Sequence, residues 1–75
     1  MEALRNFRKS KELSQEKMAK KLDITLSMYE KVESGRAGAS AAFMKRLKTA
    51  FPEANIDYLF FANDSNKIAA SGTEA

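Results

Sequence analysis

Residues 13–35 read LSQEKMAKKLDITLSMYEKVESG. Ser14 carries a side-chain oxygen that can accept from the open N–H groups at a helix start. Met18, Ala19 and Leu22 follow at spacings that put them on one helical side. Asp23-Ile24 breaks that pattern, and Thr25 can cap a second helix. The second helix directs Met28, Tyr29 and Val32 inward and stops at Gly35, which can take a left-handed backbone without a Cβ penalty. Two short helices joined this tightly form a helix-turn-helix unit. Such a unit can lay its second helix in the major groove of DNA. It can equally be an αα-hairpin that fills the core of a small helical domain, and periodicity alone does not separate the two.

The flanking segments extend the helical pattern on both sides. Residues 2–11 place Leu4 and Phe7 on one stripe, with Glu2 in the first turn and Lys9 and Lys11 in the last, as the helix dipole favours. Glu12-Leu13 is the connection, with Leu13 a hydrophobic staple before the Ser14 cap. The hairpin helices are predicted from about Gln15 to Lys21 or Leu22 and from about Leu26 to Glu33. Ser34 to Ala39 is a loop containing Gly35 and Gly38. Ser40 caps a fourth helix from Ala41 to about Phe51, with Phe43, Met44, Leu47, Ala50 and Phe51 apolar and Pro52 ending it. Asn55 or Asp57 starts a short fifth helix, with Ile56, Leu59 and Phe60 inward. The expected core is Leu4, Phe7, Met18, Ala19, Leu22, Val32, Phe43, Leu47, Phe51, Ile56 and Leu59. The fold class is therefore all-α, with one domain over residues 1–61 and a flexible tail over 62–75 that carries no useful periodicity.

Seventy-five residues allow one small core, with no cysteine to staple it. The lack of cysteine is compatible with a reducing cytoplasm. The N-terminus has no continuous apolar run of the signal-peptide kind, and no stretch approaches the roughly 20 apolar residues of a membrane span. The net charge is +3 and is unevenly placed. Residues 1–21 hold seven Lys or Arg against three Glu, whereas residues 52–75 hold one Lys against four acidic groups. The positive field belongs to the first two-thirds, which suits an anionic partner on one side or simply a solvated charged surface. Histidine is absent as well as cysteine, so the usual zinc ligands and His- or Cys-based nucleophilic chemistry are missing. No glycine-rich phosphate loop exists, and the ten carboxylates are not paired within apolar runs. Neither catalysis nor a metal or cofactor is expected.

In order and spacing, LRNFRKSKELSQEKMAKKLDIT (4–25), YEKVESGR (29–36) and NIDYLF (55–60) resemble the lambda-repressor/Cro-like (XRE-type) helix-turn-helix domains of bacterial and phage transcription regulators. The resemblance covers roughly residues 4–60. It implies a compact five-helix domain that binds double-stranded DNA, in a cytoplasmic, nucleoid-associated regulator such as a Cro or repressor. It further implies base contacts from the first turns of the recognition helix, residues 25–33. Among these, Ser27 can donate or accept at a base edge and Lys31 can reach guanine O6 or N7. Leu26 departs from the polar or basic residue common at its position and can meet only a thymine methyl or sit idle. Phosphate contacts fall to Gln15 at the start of the second helix, to Thr25, and to Arg36 after the loop glycine. Arg8 and Glu33 occupy the positions of a bridge between the first and third helices. Met28 matches a position near the DNA and Tyr29 a core position, either of which can be partly exposed. Asp23 stands where the family commonly has glycine, and Asp tolerates the left-handed turn better than most residues. Arg5, Lys9 and Lys11 can border the same surface.

Tyr58, Phe60 and Phe61 supply apolar surface near the last helix, where the family usually pairs, so a homodimer on an inverted-repeat operator is expected. Phe60 and Phe61 are adjacent and cannot share one helical side, so one of them lies at the rim. No ligand-binding segment is apparent, so no inducer is implied. The rival class is a protein-interaction module with the same fold, such as an antitoxin, antirepressor or controller. Its interface would be Leu26, Met28 and Tyr29 with Tyr58, Phe60 and Phe61.

Overall fold

A computed structural model of the chain describes residues 2–61. The expected tail over 62–75 lies outside them. Five helices run in order: α1 Glu2–Ser10, α2 Gln15–Leu22, α3 Leu26–Ser34, α4 Ala41–Ala50 and α5 Ile56–Phe60. No strand occurs among the described residues.

Four helices begin in the same way. Ser14, Thr25, Ser40 and Asn55 each accept through a side-chain oxygen from the backbone N–H three residues on, at 3.0–3.1 Å. Each such cap satisfies one of the donors that a helix start leaves open and is worth about 1 kcal/mol. The ends of α1 and α2 also share a device. Glu12 and Asp23 both adopt left-handed backbone at φ 59. After α2, Asp23 N–H donates to the Lys20 carbonyl at 3.1 Å and Ile24 N–H to the Ala19 carbonyl at 3.0 Å, a Schellman closure. Glu12 and Leu13 close α1 on Lys9 and Arg8 by the same two bonds, at 2.9 and 3.3 Å. Gly35 ends α3 at φ 87. The left-handed turn expected at Asp23 is therefore present. The one at Glu12 has no sequence signal, because Glu is not a residue that favours it.

Helix α2 packs on α3 and α4, and α1 packs on α3 and α5. The buried core is Leu4, Met18, Ala19, Leu22, Tyr29, Val32, Phe43, Leu47, Phe51, Ala54 and Leu59. Phe7 and Ile56 were expected inside but are partly buried and pack against this core from its rim. Phe7 meets Phe51 edge-on at 5.4 Å between ring centroids. Met28 was directed inward by periodicity, but it is 46 % exposed. Helix α3 is covered over a narrow arc by Tyr29, Val32 and Glu33, and Met28 falls outside it. Tyr29, by contrast, is fully buried and stacks on Phe43 of α4 at 6.2 Å.

Candidate nucleic-acid interface

The inner side of α3 is anchored by a buried carboxylate. Glu33 is the one buried charged residue among those described. Arg8 of α1 grips it in a fork, Nε donating to Oε2 at 2.9 Å and a terminal nitrogen to Oε1 at 3.3 Å. Gln15 Nε2, at the start of α2, donates to Oε1 at 2.8 Å, and the Tyr29 hydroxyl donates to Oε2 at 2.5 Å. Arg5 Nε stands 3.9 Å from Oε1. Arg8 also donates to the Leu13 carbonyl at 2.7 Å, which ties in the α1–α2 connection. Three helices thus converge on one carboxylate. Burial pushes the Glu33 carboxyl up, but the bonds from Arg8, Tyr29 and Gln15 together outweigh it and hold it below the usual carboxylate range. Burial and the bond to Glu33 push the Tyr29 phenol well up, so it stays a neutral donor. The bond to Glu33 raises Arg8 further, so it remains charged.

The outer side of α3 is open. Ser27 and Lys31 are exposed, as is Ser34 one turn further on, and Leu26 is 40 % exposed. The Thr25 oxygen accepts from Met28 N–H, which leaves its hydroxyl hydrogen free to point outward. Gln15 is partly buried and commits one amide hydrogen to Glu33, which leaves its other amide hydrogen for a ligand. Arg36 is exposed, its Nε donating to Ser34 Oγ at 3.2 Å. Ser34 thereby holds the arginine back beside the end of α3.

Two further basic residues are engaged within the domain. Lys11 turns to the far end of the domain, where it pairs with Glu53 at 2.5 Å and stands 5.3 Å from the Phe7 ring centroid. Arg46 of α4, which the sequence reading passed over, donates to the Leu22 and Asp23 carbonyls at 3.2 and 3.3 Å and lies 3.5 Å from the Asp23 carboxylate. It caps the C-terminus of α2 and offsets the acidic charge at the turn.

The order of elements, the Ser-capped first helix, the closed turn and the open outer side of α3 are those of a groove-reading hairpin. The chain matches the Helix-turn-helix family over residues 4–59, nearly the whole described region. The chain belongs to the lambda-repressor/Cro-like (XRE-type) helix-turn-helix family. It is accordingly a double-stranded-DNA-binding helix-turn-helix domain of the kind found in transcription regulation, a family that is not typically enzymatic. No curated protein and no solved structure matches it significantly. No helix among the described residues is long and apolar enough to cross a membrane.

Away from α3, this helix-turn-helix domain exposes a second surface. Tyr58 is 62 % and Phe61 37 % exposed at α5. Phe60 is the inward member of the adjacent pair, partly buried and edge-on to Phe43 at 6.1 Å. Of the three residues expected to form an apolar patch, Tyr58 and Phe61 carry most of it.

Proposed function

We propose that this chain acts as a small Cro- or repressor-like regulator that inserts α3 into the major groove as a symmetric dimer on an inverted-repeat operator. One observation carries the reading: α3 is tied on its inner side to α1 and α2 through Glu33, while Ser27 and Lys31 stand free on its outer side. A rigidly held helix with open polar side chains suits base reading, because ordering costs are met before DNA arrives. Ser27 and Lys31 address base edges and Leu26 a thymine methyl. Thr25, Arg36 and the start of α2 at Gln15 take phosphates, which set register. One such helix reads only a few base pairs, and two-fold pairing through Tyr58 and Phe61, with Phe60 behind them, doubles the contacts.

Selection of bound duplexes from a random pool tests this. Two inverted half-sites about 34 Å apart, one turn of DNA, are expected. A single unrepeated half-site with one protein per duplex overturns the dimer, and no enrichment overturns the role in reading DNA.

The exposed Leu26 and Met28 favour one second reading. Met28 rims an apolar groove formed with Ile24, Val32, Ala37 and Phe43, and such a surface suits a protein partner in an antitoxin, antirepressor or controller. Salt separates the two: phosphate-driven binding weakens steeply as salt rises, whereas apolar docking changes little.

A further inference from the structure

Two glutamates stand three residues apart on α3, and they are treated in opposite ways. Glu33 is buried and takes donors from Arg8, Gln15 and Tyr29. Glu30 is only partly buried, and its side chain makes no hydrogen bond or ion pair among the described residues. Arg8 is engaged by Glu33, and Arg5 Nε stands 3.9 Å from the same carboxylate. Lys31 is adjacent in sequence, so on a helix it points to a different side.

Helical geometry places Glu30 one turn after Leu26 and one turn before Ser34, and three residues after Ser27. It therefore flanks the outer strip of α3 that the proposed function puts in the major groove, and the inference rests on that reading. A carboxylate there meets acceptors almost everywhere. Phosphates wall the groove, and guanine N7 and O6, adenine N7 and thymine O4 all repel it. The donors in the groove are the exocyclic amines, cytosine N4 and adenine N6. Adenine N6 has the N7 acceptor beside it, whereas cytosine N4 is flanked on its own ring by a C–H. Cytosine is therefore the base that a lone carboxylate suits.

We infer that Glu30 is a specificity residue of the recognition helix, accepting a hydrogen bond from cytosine N4 at one position of each half-site. Glu30 serves selectivity rather than affinity. It weakens binding to any duplex that places an acceptor opposite it.

The test compares the full chain with Glu30→Ala and Glu30→Gln in random-pool selection, followed by titration on the enriched duplex and on an unrelated one. The native chain is expected to require cytosine at one half-site position, by about tenfold over the other bases. Glu30→Ala should remove that preference, leave the other positions unchanged, and bind the unrelated duplex more tightly. Glu30→Gln, which can accept or donate, should still take cytosine and also admit adenine or guanine. An unchanged motif with all affinities raised equally makes Glu30 a spectator charge and overturns the assignment alone. If the native chain enriches nothing, the role in reading DNA fails and the assignment falls with it.

Discussion

The two sides of α3 differ in how their polar atoms are met. Inward, Tyr29 and Glu33 are buried and their polar side-chain atoms are bonded within the domain, to each other and to Arg8 and Gln15. Outward, the side chains of Glu30 and Lys31 have no bonded partner among the described residues. A buried charge without donors would be costly, so the inner set has to be complete. The outer set is kept solvated, so its bonding capacity stays available to a ligand. The same nine-residue helix is therefore a clamp on one side and a reader on the other.

Glu33→Ala breaks the clamp and carries the largest expected effect. It leaves Arg8 partly buried without its partner, and it frees Gln15 and the Tyr29 hydroxyl. Removing one partner of a buried pair costs about 3–5 kcal/mol. That is comparable with the whole stability of a domain of this size, about 3–5 kcal/mol. The variant should have lost most of its helical circular dichroism at 25 °C. Urea unfolding within 1 kcal/mol of the native chain (roughly the value of a surface pair) would show that the cluster is not what holds α3.

Tyr29→Phe is a finer probe, since the ring and its stacking on Phe43 remain. It removes one hydrogen bond to a charged acceptor, so a loss of about 1.5–3 kcal/mol is expected from chemical denaturation.

Acid titration tests the same cluster without changing its shape. The folded Glu33 carboxyl lies below its unfolded value of about 4.3. Its contribution is thus fully present above that value and is lost as pH falls through the depressed folded pKa. Stability of the native chain should drop in that window, and Glu33→Gln, if folded, should show a shallower acid limb. Parallel limbs would remove Glu33 from the acid response.

On the DNA side, Gln15→Ala and Arg36→Ala should weaken binding to specific and unrelated duplexes alike, by a similar several-fold factor, because phosphate contacts position rather than specify, and Gln15→Ala should also lower stability because it removes a donor to Glu33. Selective loss on the specific duplex would show that these residues read bases. The smallest effect belongs to the far end. Lys11→Ala removes a partly buried lysine from its pair with exposed Glu53, so calorimetry should show only a small fall in melting temperature, and DNA affinity should not change. A clear fall in affinity would bring Lys11 back to the interface, which its position in the structure does not favour.

Ser14, Thr25 and Ser40 were legible as caps, and Asn55 as one of two candidates with Asp57, and the bounds predicted for the first four helices agree with the structure to within about a residue. Those interactions span three or four residues, so the information that specifies them is contiguous in the chain. The turns at Asp23 and Gly35 were legible for the same reason. Tyr29 and Phe60 were legible as inward residues and Phe61 as a rim residue, but the exposure of Met28 was not, because periodicity identifies an apolar side but not how wide an arc its neighbours cover.

The candidate site divides in the same way. Ser27, Lys31 and Thr25 lie on α3 or at its cap, and the reading of the hairpin placed them there. The Arg8–Glu33 pairing was suggested by family resemblance, as was a bracing role for Gln15 toward the recognition helix, whereas Glu33 as the shared acceptor of Gln15 and Tyr29 was not foreseen. The isolation of Glu30 was not foreseen either. Arg8 and Glu33 are 25 residues apart, and Gln15 and Glu33 are 18 apart. Only the packing of α1, α2 and α3 can choose which of several glutamates meets those donors. Local sequence determined the helices, their caps and the hairpin. Tertiary structure decided which carboxylate is buried and bonded and which is left open, because desolvation depends on every element that covers a residue.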